Sequence, residues 1–345
     1  MAMPQSQSQS QPQPQPQPLR ILLSEPSSRE HRTAIDEAMN GLPWQPVVVP
    51  ETGDSRGIDA DVAFVSRDVT GLSTKHEILP PTQRFYTAML EAPSLRWTHV
   101  HSAGADRAVF GQLRLRGVTV TTSSGANAGV VAQTALAGLL ALARHFPQLL
   151  DAQREQRWAP LIGTGLPRDL QGQTATIVGW GPIGQQIGAV LRLFGMSVAV
   201  VRQRAAPAGD GFETVTFDTL REVLPRTDWL ILACPLTDRT RGLVDGAALR
   251  QLPPGARLVN VARGEVVDEP ALIEALRAGR LAGAYLDVFA HEPLPAGSAL
   301  WSLPNVIATP HSAGFSDGNA ARVVDIFLAN LRRWMAGQPL RNVVG

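Results

Sequence analysis

Thr174 to Gly195, TATIVGWGPIGQQIGAVLRLFG, sets three glycines at G-x-G-x-x-G spacing between an apolar, β-branched run and an amphipathic segment. That succession predicts a strand, a tight turn and a helix. Gly179 permits the turn, Gly181 lets the backbone approach a pyrophosphate, and Gly184 lets the helix pack closely on its strand. Pro182 and Ile183 would open a helix whose free N-terminal amides attract anions. Ile183, Ile187, Leu191 and Phe194 share one helical face, and Gly188 is a small residue for close packing. Gly195 is placed to stop the helix before Met196 to Val201, which reads as the next strand. A complete β-α-β context raises the motif above a chance glycine turn and predicts a dinucleotide site.

The chain has 345 residues, too many for one ordinary core, so two domains are expected. Residues 4 to 18 alternate Gln with Ser or Pro and carry nothing to bury, which predicts a disordered, polyproline-like tail over 1–18. A first strand is expected from Leu19 and a helix over Ser28 to Asn40. Strands follow at Pro46 to Val49 and Asp61 to Val65, then a helix around Thr82 to Glu91. Strands at Trp97 to His101 and Val118 to Thr122 complete a small α/β unit. Ala128 to Phe146 is almost wholly apolar and predicts one buried helix bridging the domains. From Thr174 onward, strands near 174–179, 196–201, 228–233, 257–262, 283–288 and 305–308 alternate with helices. One of these helices starts at Asp268-Glu269-Pro270 and stops at Gly279. The last helix, Asn319 to Met335, has Val324, Phe327, Leu328, Leu331 and Met335 on one face and is expected to return to the first domain. The fold class is therefore α/β: a doubly wound parallel-sheet (Rossmann) cofactor domain with a second, smaller flavodoxin-like α/β domain.

A net charge of +1, without a Lys/Arg block, provides no field for nucleic acid or an anionic membrane surface. Cys234 is the sole cysteine, so no internal disulfide can form and neither a zinc site nor a cysteine redox pair can be built from it; no metal is expected. With no apolar run of membrane-spanning length, a soluble, cytoplasmic protein is expected.

In open parallel sheets ligands bind beyond the carboxyl ends of the strands. Arg263 follows LVNVA, Glu292 follows AYLDV, and His311 follows NVIATP. Each alone reads as a turn, a solvated loop or a helix start. Three such groups at three successive strand ends beside a dinucleotide suit the reduction of an oxo acid: Arg binds a carboxylate through paired donors, His protonates the carbonyl oxygen, and the carboxylate orients the imidazolium.

At these residues the chain resembles the D-isomer-specific 2-hydroxyacid dehydrogenase family, from about residue 95 to 340. The segments DLQGQTATIVGWGPIG, ACPLTDRTRGLV, LVNVARGEVVDEPALIEAL, AGAYLDVFAHEPLP and NVIATPHSAG carry the resemblance. It implies that Arg263 holds the substrate carboxylate and oxo group, that Glu292 pairs with His311, and that His311 is the acid in reduction and the base in oxidation. HSAGADR resembles the family's substrate loop, whose amides at Ala103 and Gly104 would receive the carboxylate. Asp287 would bond the nicotinamide carboxamide, and the segments Cys234–Pro235 and Val261–Ala262 would line the cofactor. The resemblance further implies a discontinuous division, with 19–124 and 316–345 as the substrate domain and 125–315 as the cofactor domain, and a homodimer formed through the latter. Gln133 stands where many members have an acid, and Ala233 where many have a histidine. His291 reads as an exposed loop residue and His101 as a packed strand residue. Trp158 and Trp301 read as core or rim anchors, with a pocket role left open.

An NAD enzyme places Asp or Glu about 20 residues beyond the glycine motif, on the ribose 2′-hydroxyl. This chain has Arg202, Gln203 and Arg204 after the second strand. NADP(H) is therefore expected to be preferred, with NAD(H) possible. The expected activity is hydride transfer between that cofactor and a small 2-oxo or 2-hydroxy acid, such as glyoxylate or hydroxypyruvate; pyruvate and bulkier oxo acids are open. The alternative is a dinucleotide-sensing protein that acts through partners, to which the Gln/Pro tail leans. A hydrolase using bound NAD would need other site residues.

Overall fold

The computed structural model describes residues 17–344 except 51, 53, 54, 164, 205 and 210, so the expected tail lies outside the described residues up to position 16. The first unit runs β1 (Leu19–Leu23), α1 (Glu25–Glu30), α2 (Arg32–Met39), β2 (Trp44–Val48), β3 (Val62–Val65), α3 (Arg67–Thr70), α4 (Pro80–Glu91), β4 (Trp97–Val100), α5 (Ala108–Leu115) and β5 (Thr119–Thr122). Its strands form a parallel sheet in the order β2-β1-β3-β4-β5, the flavodoxin-like order. β3 (VAFV) and β4 (WTHV) are buried along their whole length, as parallel strands covered on both faces must be.

The helix expected over Ser28 to Asn40 is two. Ser24 caps α1, its hydroxyl accepting the Ser27 amide at 3.2 Å, and the chain turns at His31 before α2 begins. Asn40 then ends α2 in the left-handed region at φ 50°, where its short polar side chain is tolerated.

The second unit runs α6 (Ala128–Ala143), α7 (Phe146–Arg154), β6 (Thr174–Val178), α8 (Pro182–Leu193), β7 (Ser197–Arg202), β8 (Glu213–Thr216), β9 (Trp229–Leu232), α9 (Gly246–Gln251), β10 (Ala256–Asn260), α10 (Glu269–Arg277), β11 (Leu281–Leu286) and β12 (Val306–Ala308). Its seven parallel strands take the order β12-β11-β10-β9-β6-β7-β8. Two apolar cores fill its two faces. The expected strand over 283–288 lies two residues earlier, because the chain leaves the sheet at Asp287 to enter the site. The expected bridging helix breaks at His145, which adopts φ 57°. Its first part, α6, packs on α8 and β11 and covers the larger sheet. The contact is direct: a Cβ on Gly138 would overlap the Tyr285 ring.

Helix α11 (Asn319–Met335) crosses back to the smaller sheet and packs against α2. Val323, Phe327, Leu328 and Leu331 enter that sheet's core, with Phe327 stacked on Phe64 at 4.4 Å between ring centroids and on Trp97 at 5.6 Å. Among the described residues no single helix is long and apolar enough to cross a membrane. Trp158 is not a core anchor, being 95% exposed, while Trp301 sits half-exposed on the rim with its indole N–H donating to the Pro295 carbonyl at 3.0 Å.

Candidate active site

The glycine turn follows β6 as its spacing requires. Gly179 has φ 103°, a conformation strained for any L side chain, and a Cβ there would come within 2.6–2.7 Å of Ala233 and Cys234 backbone atoms. A Cβ on Gly184 would overlap the Gly179 carbonyl, whereas Gly181 faces open space. The motif thus has two glycines that permit close packing and one that leaves room for a ligand beside the N-terminus of α8, where Pro182 and Ile183 form the first turn. A cavity of about 510 Å³ continues from the turn, lined among others by Gly179, Arg202, Arg204, Cys234, Pro235 and Asp238. No Asp or Glu leaves the end of β7, where Arg202, Gln203 and Arg204 stand. Burial pushes the Cys234 thiol up to about 12, so it remains protonated and serves as wall. These features fit a dinucleotide: amides for the pyrophosphate, room for the backbone approach and guanidiniums at the far end.

Arg263, Glu292 and His311 follow β10, β11 and β12, which are neighbours in the sheet, and the last two meet. His311 Nδ1 lies 2.8 Å from Glu292 Oε2. An ionised carboxylate only accepts, so Nδ1 carries the proton and Nε2 is left for a reactant. The other Glu292 oxygen accepts the Phe289 amide at 3.1 Å. Burial alone would raise the Glu292 carboxyl, but the hydrogen bond and charge of His311, the Phe289 amide and the charge of Lys75 outweigh it and hold the carboxyl below its usual range. His311 itself adopts φ 51°, with its amide donating to the Asp287 and Thr309 carbonyls at 2.9 Å.

Asp287 is buried at the foot of this loop. Its carboxylate accepts the Thr309 hydroxyl at 2.7 Å and the Ser312 and Ala313 amides at 2.8 and 3.0 Å. Thr309 lies 2.9 Å from the Tyr285 hydroxyl, so a polar chain runs from β11 to the His311 loop. Burial raises the Asp287 carboxyl in spite of these donors. Val261 and Ala262 are buried just after β10, the latter's amide donating to Asn260 Oδ1 at 3.0 Å.

The smaller unit closes the site. Gly104, in the loop after β4, lies so close to Arg263 that a Cβ would meet the guanidinium, and the same loop supplies Asp106, paired with Arg263 Nε at 3.2 Å. Ala103 beside it is exposed. Three further residues cross from the loop before α4. Lys75 pairs with Glu265, Thr74 donates to the Glu292 carbonyl at 2.9 Å, and the Glu292 amide donates to His76 Nδ1 at 3.2 Å. The exposed His291 ring stacks on His76 at 4.6 Å. His101 is held by Thr70 at 2.9 Å, and burial, then Arg67 and Arg107, push it down to about 3, so it is neutral at physiological pH. Asp106, Lys75, Thr74 and His76 were missed in the sequence. Asp106 was legible in part, because it stands inside HSAGADR.

Residues 136–313 match the family described as D-isomer specific 2-hydroxyacid dehydrogenase, NAD binding domain. The glyoxylate reductase of Thermococcus gammatolerans is 34% identical over 257 residues, 72% of this chain and 75% of that protein. Glyoxylate/hydroxypyruvate reductase B of Pectobacterium atrosepticum is 33% identical over 287 residues, 82% of this chain and 89% of that protein. Among solved structures, a D-isomer specific 2-hydroxyacid dehydrogenase from Xanthobacter autotrophicus Py2, in complex with NADPH and MES, superposes with a TM-score of 0.74 at 31% identity. The match covers 95% of this chain and 98% of that one.

Proposed function

The chain belongs to the D-isomer-specific 2-hydroxyacid dehydrogenase family, and from that premise we infer that it is an NAD(P)-dependent oxidoreductase reducing a small 2-oxo acid, such as glyoxylate or hydroxypyruvate, to the D-2-hydroxy acid. The observation that carries the reading is the hydrogen-bonded His311–Glu292 pair beside Arg263 at three adjacent strand ends. A reduced nicotinamide bound along the glycine turn supplies hydride; the chain supplies the rest. Arg263 and the amides at Ala103 and Gly104 hold the substrate carboxylate, and the guanidinium also polarises the oxo group. His311 Nε2 gives its proton to the carbonyl oxygen as charge develops there, and Glu292 stabilises the imidazolium beforehand. Asp287 holds the loop that aims the imidazole, and its Oδ2 retains capacity for the carboxamide. A panel of 2-oxo acids assayed with NADPH and NADH tests the reading; no turnover with any of them would overturn it.

Glu292→Gln tests the pair. Because the wild-type carboxyl is held below its usual range, it is ionised throughout the neutral region. Its contribution to stability is present at neutral pH and lost as the pH falls through that lowered value. The amide keeps the shape but removes the charge that faces Nδ1, so kcat/KM for reduction should fall roughly 10- to 100-fold, the worth of a charge-assisted hydrogen bond. An unchanged kcat/KM would mean that the pair does not support the proton donor.

NADP(H) is the preferred cofactor in this reading. Arg202 and Arg204 line the cavity, no acid leaves the end of β7 to repel a 2′-phosphate, and a relative of the same fold holds NADPH. Arg202→Asp should shift the NADPH/NADH ratio of kcat/KM roughly 10- to 100-fold towards NADH, the worth of a lost charge-assisted bond. Wild-type protein that uses NADH as well as NADPH would defeat the preference.

The domain division at 124/125 and 315/316, a cytoplasmic setting and a homodimer belong to the same proposal. Phe146, Leu150, Trp158, Ile162 and Leu166 form an exposed apolar stretch after α6, which supports an interface on the cofactor side. A sensor acting through partners draws only on the tail, outside the described residues, and no feature of the site favours it.

A further inference from the structure

The second residue of the glycine motif is a tryptophan, Trp180, and its side chain leaves the turn to hold a segment elsewhere in the chain. That segment is the connection between β7 and β8, which runs from Gln203 to Phe212 and opens with Gln203 and Arg204 on the cavity wall. Its described residues from Gln203 to Gly211 are exposed except Ala208, which is half-buried, as is Phe212 at its end. Both of these rest on Trp180. The indole N–H donates to the Ala208 carbonyl at 3.1 Å. The ring meets Phe212 edge-on, with 4.7 Å between centroids and 61° between planes.

The surroundings are shaped for that contact. Gly188 lies against the indole, and a Cβ there would overlap the ring, so α8 leaves a place for Trp180 that a larger residue would deny it. Arg192, one turn farther along α8, sets its guanidinium over Phe212 at 4.9 Å. Gly209 and Gly211 take φ 126° and 78°, conformations that glycine reaches without strain, and the Ala208 amide donates to the Thr214 hydroxyl at 2.9 Å. Fixing an exposed connection costs conformational entropy, so where this one lies depends on its anchors, and two of them meet on Trp180. The same residue lines the cavity with Arg202 and Arg204, and its backbone stands between Gly179 and Gly181, at the turn fitted to a pyrophosphate. Trp180 thus joins the middle of the dinucleotide site to its far end. Phe212 is not among the residues that line the cavity.

We propose that Trp180 is a positioning residue for cofactor choice: by seating Ala208 and Phe212 it fixes the loop that carries Arg204, and with it the cationic site for a 2′-phosphate. The inference rests on the NADP(H) reading above and adds what turns two arginines into a site. The guanidiniums supply the attraction. The indole supplies the fixed geometry, which reduces the ordering that binding would otherwise require.

Phe212→Ala tests this without altering the cavity wall. The NADPH/NADH ratio of kcat/KM should fall roughly three- to tenfold, the worth of a lost aromatic pair, with the change in the NADPH KM. Trp180→Phe keeps a ring but removes the N–H donor, and should lower the ratio roughly two- to tenfold, the worth of one hydrogen bond; it carries the same test if Phe212→Ala does not accumulate. In a protein that already has Arg202→Gln and Arg204→Gln, adding Phe212→Ala should leave the ratio where those two substitutions put it, because the brace acts through the guanidiniums. A ratio unmoved by Phe212→Ala, whether both cofactors keep their rates or lose them alike, overturns the proposal and leaves the preference for NADPH standing. So does a full further fall in the protein without the two arginines. Wild-type protein with no preference for NADPH defeats the cofactor reading and this inference together.

Discussion

Replacing His311 with Asn is expected to slow 2-oxo acid reduction by about 100- to 10,000-fold, the usual worth of a positioned general acid, while leaving the NADPH dissociation constant unchanged. Asn is the informative choice. His311 sits at φ 51°, a conformation Asn adopts more readily than Ala, and an Asn amide could still donate towards the Glu292 carboxylate that His311 now satisfies at 2.8 Å. The variant thus removes the proton while sparing the loop and its buried acid. Single-turnover rates, with cofactor titrated by fluorescence, separate chemistry from binding. A rate within tenfold of wild type would place the acid elsewhere.

Gly264→Ala is expected to cost the fold about 3 kcal/mol or more, beyond the common range for overpacking, because the obstacle is backbone. A Cβ at 264 would overlap the carbonyl carbon and oxygen of Phe289 and the amide of Ala290, so the loops after β10 and β11 would have to separate. Heat unfolding should show a loss on the order of 10 °C, or the protein should fail to accumulate in soluble form. Because Arg263 precedes this contact and Glu292 follows it by three residues, any folded fraction should also show a raised substrate KM. A variant as stable and active as wild type would mean that the two loops are not packed as described.

Much of this was legible where the information is local. The glycine spacing, the strand periodicity after Thr174 and the apolar face of Asn319 to Met335 encode their outcomes within a few residues. The misplacements arise where a distant partner decides. β8 was not expected, because ETVT is a short, half-buried edge strand whose order comes from pairing with β7. The breaks at His31 and His145 interrupt otherwise helical patterns, and β11 ends early because Asp287 is drawn to donors at 309, 312 and 313. The site divides in the same way. Arg263, Glu292 and His311 are visible as strand-end residues, but the partner of Arg263 is 157 positions away in sequence. A loop carboxylate or lysine carries no periodic signal that announces such a pairing.

Arg263, Glu292 and His311 occupy one short, continuous span, which invites the idea of a portable module. The contacts across the cleft argue otherwise. Glu292 is gripped by its main chain from Thr74 and His76 on one side and by its carboxylate from His311 on the other, while Asp106 pairs with Arg263. A cofactor-binding fragment expressed alone, or grafted beneath a foreign cap, would inherit the full set of reactive groups without the hands that hold them. Transplanting this chemistry requires carrying residues 74–76 and 101–106 along with it.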